Sequence, residues 1–156
     1  MKRWIHGSEY AEYAGPHQPS SHIDYPDEVA SAYNITDPNY FPSDILDKPY
    51  LYFPNLNDYS DSRRMIQMLK QIQGKPDAIV TIYRGAPSGG VLHTGNWVTP
   101  SFDYVKDYAG EGMNSGNKDS KIYSYRVKAR DLSFDGDSIF EFGYWGKPIT
   151  GQEENF

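Results

Sequence analysis

The run Ile79-Val80-Thr81-Ile82-Tyr83 is unbroken in apolar and β-branched residues, and Gly85 and Pro87 stop it. Five such residues between turn signals specify a strand, and the lack of charged positions predicts one that is well buried. Arg84 closes the run. Side chains alternate along a strand, so Arg84 shares a face with Val80 and Ile82, where the pattern places core. A guanidinium keeps its charge at any physiological pH and enters a core with an anionic partner, either a carboxylate or a bound phosphate. After a Gly/Ser loop, Gly95-Asn96 turns the chain into Trp97-Val98-Thr99, a second strand that ends at Pro100-Ser101. The fold therefore has to accommodate a cation at the end of one strand and a small hydroxyl residue at the end of the next.

The clearest helix is predicted over residues 61–73. Asp61 or Ser62 can cap its start, Met65, Ile66, Leu69 and Ile72 form an apolar stripe at helical spacing, and Gly74 with Pro76 ends it. A second helix is expected over residues 101–109, with Ser101 as its N-cap and Asp103 at the positive end of its dipole. Residues 1–60 are rich in Pro, Tyr and Asp and keep neither the helical nor the strand period. They are expected to form an irregular wrap over one side of a sheet, or in part the rim of a ligand site, with a short helical turn over residues 27–33. Tyr25, Val29, Ile35, Tyr50, Tyr52 and Phe53 are among the side chains this wrap has to bury.

At 156 residues the chain suits one domain, with residues 61–150 as its core and 151–156 as a frayed tail. It has no cysteine, which removes disulfides and thiolate metal sites. The histidines lack metal-ligand spacing, so no metal is expected. No run is long and apolar enough for a membrane span, and residues 1–7 lack a signal-peptide core, which predicts a protein of the cytosol with no membrane partner. A net charge of −6 disfavours a general nucleic-acid footprint and leaves room for a local basic cleft. The 14 tyrosines supply apolar area with polar tips, suited to clefts that hold rings.

Residues 121–129 alternate strictly, with Tyr123, Tyr125, Val127 and Ala129 on the core face and Lys and Arg toward solvent. Asp135-Gly136 is a turn signal, and a further strand is predicted over residues 138–144. Alternation sets Glu141 with Ile139 and Gly143, and Phe140, Phe142 and Tyr144 on the other face. Taken singly, Arg84 and Glu141 make a structural bridge and Ser101 only caps a helix. Taken together, they suit the breaking of a bond between a ribose anomeric carbon and a cationic pyridinium. That reaction passes through an oxocarbenium-like state and calls for a carboxylate near the sugar and a cation for the phosphates.

Tyr83-Arg84-Gly85, Trp97-Val98-Thr99-Pro100-Ser101 and Glu141-Phe142-Gly143-Tyr144, in this order, resemble the Arg, Ser-Thr-Ser and Glu motifs of the mono-ADP-ribosyltransferases in the branch related to cholera toxin. The ending Val127-Lys128-Ala129-Arg130-Asp131-Leu132, Gly136-Asp137-Ser138-Ile139 and Glu141 to Tyr144 is similar to domains of that family in phage head-morphogenesis proteins and bacterial polymorphic toxins. The resemblance covers the second half of the chain. It implies an α+β fold, the ADP-ribosyltransferase-like split β-sandwich, with two small and roughly perpendicular sheets around an NAD cleft, peripheral helices and an irregular N-terminal segment. It also implies NAD as co-substrate without a metal, and transfer of ADP-ribose to a macromolecular acceptor, in the first instance a protein, by a monomeric toxin, effector or phage factor.

By the same resemblance Arg84 binds the NAD phosphates and the Gly85 backbone meets the nicotinamide amide. Thr99 and Ser101 line the cleft, Ser101 positions Glu141, and Glu141 holds the ribose 2′-hydroxyl and stabilises the cationic sugar. Phe102 and Tyr104 are expected ring neighbours, although no motif assigns them. His6-Gly7-Ser8 matches the His-Gly-hydroxyl pattern of another class of NAD-using transferases, but three residues without structural context carry no assignment. Two positions depart from the family pattern. Ile139 stands where arginine-modifying members carry Glu or Gln, and an apolar side chain cannot accept hydrogen bonds from a target guanidinium. Pro100 replaces the central hydroxyl residue of the Ser-Thr-Ser motif. The alternatives to a transferase are an NAD glycohydrolase and a non-catalytic binding or virion-structural module on the same fold.

Overall fold

The computed structural model describes residues 18–86, 90–107 and 121–154. Among these are two helices, α1 (Ser62–Gln71) and α2 (Phe102–Asp107), and short strands β1 (Ala30–Ser31), β2 (Ile79–Ala86), β3 (Val91–Leu92), β4 (Asn96–Val98), β5 (Lys121–Lys128), β6 (Leu132–Phe134), β7 (Phe142–Tyr144), β8 (Ile149–Thr150) and β9 (Gln152–Glu154). His6-Gly7-Ser8, the Gly/Ser loop residues Ser88 and Gly89, and the polar stretch at 110–120 lie outside the described residues.

The architecture is mixed α+β, dominated by open antiparallel sheets. One sheet has the order β1-β6-β7-β4, a second β2-β5-β9, and β3 pairs with β8. All these pairings are antiparallel. A bridge between Tyr83 and Thr99 joins the first two sheets. There Tyr83 N donates to Thr99 O at 2.7 Å and Thr99 N donates to Tyr83 O at 3.0 Å. The two strand ends singled out in the sequence therefore meet at the seam between sheets.

A continuous apolar cluster runs from Ala32 and Ile35 through α1 to Phe140, Phe142 and Tyr144. Phe134 lies within it, with ring centroids of Phe41, Phe53 and Phe142 at 5.2, 6.1 and 5.2 Å. Such pairs each contribute about 1 kcal/mol beyond the area they bury. α1 presents Met65, Ile66 and Leu69 to the core, as its periodicity predicts. Gly74 ends the helical region at φ 78°, and its N–H donates to Tyr33 O at 2.7 Å. Gln73 strengthens this junction by donating from Nε2 to Ala32 O and Leu69 O. The wrap is thus stitched to the C-terminal end of α1.

Several expectations are corrected. β2 is not buried on both faces: Val80 and Ile82 point inward, while Ile79 is 48% exposed and Thr81 is exposed, because the second face of β2 meets solvent. The helical turn expected over residues 27–33 gives way to β1 and a 3-10 turn, Ala32–Asn34. Ala30 and Ser31 find β6 as a pairing partner, a long-range contact that overrides local turn tendency. Tyr25 and Tyr50 are more than half exposed and Tyr52 is 37% exposed, so much of the wrap's aromatic surface stays in water. The second helix forms over Phe102–Asp107, its expected last positions, 108 and 109, lying outside the described residues, and the strand expected over residues 138–144 begins only at Phe142. Ser138 holds the preceding residues in a turn, taking Phe140 N on its Oγ and Glu141 N on its carbonyl, both at 3.2 Å. Residues 152–154 are not frayed: β9 pairs with β5 from Ile122↔Glu154 to Ser124↔Gln152.

His22 ties the wrap to β6. Its backbone N–H donates to Ser133 Oγ at 2.9 Å and its Nδ1 shares a hydrogen bond with the same hydroxyl. Burial lowers its pKa below the ordinary 6.5, against the opposing influence of the Arg130 backbone and the Asp131 charge. A histidine depressed in the folded state gives up stability when it must take a proton. That stability is intact above pH 6.5 and is lost as the pH falls through the folded value. The urea midpoint should therefore be lower at pH 5.5 than at pH 7.5, and His22→Gln should shrink the difference. A variant with the wild-type pH dependence would sink this assignment.

Candidate functional site

The site forms where β4, β7 and β2 converge. The β4–β7 register pairs Trp97 with Gly143 and Val98 with Phe142, so Thr99 and Glu141 are the next residues on either side. Thr99 in turn bridges to Tyr83, the residue before Arg84. Three segments far apart in sequence are thereby brought into one row. Only the tertiary pairing does this.

Glu141 is 4% exposed, at the end of the turn that precedes β7. The hydroxyl of Tyr104, on α2, donates to its Oε2. Around this contact Tyr104 and Phe140 stack with centroids 4.9 Å apart and planes 7° from parallel. Tyr59 meets both rings edge-on, at 5.2 and 4.9 Å. The carboxylate is fixed by an O–H donor within an aromatic wall. In such a medium a negative charge acts strongly on any positive charge that develops within reach.

Ser101, fully buried, is the N-cap of α2: its Oγ accepts Tyr104 N at 3.0 Å and its carbonyl accepts Val105 N at 3.2 Å. The same Oγ donates to Asp61 Oδ1 at 2.6 Å. Asp61 Oδ2 also accepts Asp103 N at 3.3 Å. The serine thus acts on Glu141 through α2 and Tyr104: Asp61 holds Ser101, Ser101 holds the first turn of α2, and that turn carries the tyrosine. Thr99 is buried, and its Oγ1 accepts Ser101 N at 3.1 Å. Ser101→Ala removes the cap and leaves Asp61 without its hydroxyl donor, and should cost about 2 kcal/mol of stability in denaturant titration. Ser101→Thr should recover part of that loss.

Arg84 is half-buried on the face of Val80 and Ile82, as its position predicts. Its Nη1 donates to Trp97 O at 2.8 Å, across the seam to β4. Its charge also reaches Tyr125, opposing the burial that raises that phenol to about 12. Gly85 is buried and pairs with Ile122 on β5. Phe102 belongs to a second small apolar cluster: its ring meets Tyr83 at 5.3 Å, and Lys106 Nζ sits 5.4 Å from its centroid. Tyr104 and Phe102 therefore serve different clusters.

Tyr59, Asp61 and Phe140 are site residues that sequence reasoning did not assign. Asp61 reads locally as the cap of α1, yet its side chain makes no cap bond there and goes to the start of α2 instead. No local signal carries that choice, because Asp61 and Ser101 stand in separate helices' leading turns. Among the described residues no group of three His, Asp or Glu is placed to hold a metal ion, and no helix is long and apolar enough to cross a membrane. Comparison with known proteins finds no matching family model, no matching curated protein and no matching solved structure.

Proposed function

We propose that this chain is an NAD-dependent mono-ADP-ribosyltransferase of the split β-sandwich type, which breaks the nicotinamide–ribose bond and passes ADP-ribose to a macromolecular acceptor. The observation that carries the reading is the buried carboxylate of Glu141, held by Tyr104 at the seam where Thr99 bridges to the strand of Arg84. Two antiparallel sheets joined at that seam support the fold assignment.

In this reading Glu141 accepts the ribose 2′-hydroxyl and faces the oxocarbenium-like carbon. The developing cation is stabilised by a charge already oriented, so little reorganisation is needed as the bond breaks. Arg84 offers its guanidinium to the pyrophosphate, and the Gly85 backbone and Thr99 border the nicotinamide end. Tyr104 and Ser101 are positioning residues. NAD supplies the glycosyl donor.

Ile139 bears on the acceptor. It is completely buried, which withdraws from any target the position where arginine-modifying relatives place a hydrogen-bonding side chain. This favours an acceptor other than arginine, with water as the second reading, in which the protein is an NAD glycohydrolase. Nicotinamide release from NAD, measured with and without cell lysate, separates the cases. Release that requires lysate, with label transferred to a macromolecule, supports the transferase. Release without lysate supports the glycohydrolase. A folded protein with no Glu141-dependent release under either condition overturns both and leaves the binding module.

A further inference from the structure

β2 is fully paired on one side only. Its neighbour in the sheet order is β5, and on the other side it meets backbone at the bridge Tyr83↔Thr99. Along an antiparallel strand every second residue turns its N–H and C=O to the same side. Tyr83 turns both toward Thr99. Thr81 and Ile79 therefore turn theirs the same way, and among the described residues no backbone group meets them there. Val80 and Ile82 turn theirs toward β5, opposite Val127 and Tyr125.

This edge lacks the devices that keep strand edges from pairing. The run Ile79–Tyr83 contains no charge and no proline, Ile79 is 48% exposed, and Thr81 is exposed. Two other edges differ. On β4 the carbonyl of Trp97 is taken by Arg84 Nη1, and β9 carries Glu153 and Glu154. The register also sets the charges beside the open edge. Lys128 and Arg126 stand across from Ile79 and Thr81, on the same face of the sheet. Arg126 is exposed, with no ion pair among the described residues. Lys128 shares Asp77 with Arg130, at 3.8 and 2.7 Å. Glu154, at the far edge of the sheet, accepts Ser124 Oγ at 2.7 Å. The surface beside β2 is thus locally basic on a chain whose net charge is −6.

We propose that the open edge of β2 binds an extended acidic segment of a partner protein by strand addition. The segment's backbone completes the hydrogen bonds of Ile79 and Thr81, and its carboxylates on the outer face reach toward Arg126 and Lys128. The added strand lies about 10 Å from β5, and the small side chain of Thr81 between them leaves room for Arg and Glu to meet above it. A second copy of this chain fits less well, because its β2 carries no carboxylate and it brings a second net charge of −6. The docked segment lies in line with Thr99, two residues along β2 from the bridge at Tyr83. The proposal is independent of the transferase reading, since neither Glu141 nor NAD enters the binding or its readout.

The test uses a fluorescein-labelled peptide of about eight residues that alternates Val with Glu, beside a matched peptide that alternates Val with Lys. Fluorescence polarisation reads affinity, and amide hydrogen exchange by NMR locates the contact. In the free protein the Thr81 amide should exchange faster than those of Val80 and Ile82, which β5 protects. The Glu peptide should slow exchange at Thr81 by about tenfold or more, shift residues 79–83 and 126–128, and bind about tenfold more tightly than the Lys peptide. Arg126→Gln should weaken binding several-fold. Thr81→Pro removes the outward N–H without breaking a bond to β5 and should weaken binding by about tenfold. Its urea transition shows whether it is folded, and if it is not, the exchange and Arg126→Gln results decide. Equal affinity for the two peptides, unchanged exchange at Thr81, wild-type binding by Arg126→Gln, or shifts elsewhere in the protein would each overturn the proposal. Protection of Thr81 that grows with protein concentration in the absence of peptide would also overturn it, by giving the edge to a second copy.

Discussion

Glu141→Gln should leave the protein folded and lower nicotinamide release from NAD by about 100-fold or more. Glutamine has the shape of glutamate, and its amide oxygen can still accept the Tyr104 hydroxyl, so the aromatic wall of Tyr59, Tyr104 and Phe140 is expected to stay in place. In the proposed reaction, what is lost is the negative charge that would meet the oxocarbenium-like carbon. Urea unfolding and nicotinamide release should therefore separate: a midpoint close to wild type beside a collapsed rate. Tyr104→Phe is the companion measurement. It keeps the stacked ring and removes only the hydroxyl that orients Glu141, and its rate should fall by about tenfold, between wild type and Glu141→Gln. Full activity in the glutamine variant would remove Glu141 from the reaction. Equal losses in both variants would mean that orientation, rather than charge, dominates.

The largest structural effect is expected at Gly90. Its φ of 54° lies in the left-handed region, and a Cβ there would stand 2.3 Å from the ring of Tyr123. Tyr123 is buried in the core and has little room to yield. The carbonyl of Gly90 is also occupied, accepting the Tyr125 hydroxyl at 2.7 Å and Gly151 N at 3.3 Å. Burial raises the Tyr125 pKa to about 12, so this donor keeps its proton throughout the physiological range. Gly90→Ala combines backbone strain with overpacking and should lower stability by about 3 kcal/mol. Gly74→Ala is the internal comparison. It carries the same sign of φ, at 78°, with nothing within 4 Å of the added Cβ, and should cost only about 1 kcal/mol. Equal losses at the two sites would show that the ring contact at Tyr123 contributes nothing.

Local sequence determined the elements whose signals are complete within a few residues. The apolar stripe Met65, Ile66 and Leu69 specifies α1 and its buried face, Gly74 specifies its left-handed end, and Ser101 specifies the cap of α2. Alternation along β5 places Tyr123, Tyr125 and Val127 inward. The position of Arg84 on the face of Val80 and Ile82 follows from the same period of two. Each of these depends on backbone geometry and on the neighbours one or two turns away, which the sequence contains.

Only the tertiary structure decided the rest, because pairing partners lie outside any local window. β1, β6 and β9 are too short to show a period, and each exists through the strand it pairs with. The exposure of Ile79 reflects which face of β2 remains uncovered, a property of the assembled sheet. The same holds for the candidate site. Sequence order names Arg84, Ser101 and Glu141 as candidates. The choice of Asp61 as the partner of Ser101, of Tyr104 as the hydroxyl on Glu141, and of Tyr59 and Phe140 as its walls follows from the packing of α2 against the seam. A hydroxyl or carboxylate with several sterically possible partners takes the one that packing brings within hydrogen-bond distance, and that distance is set by the whole fold.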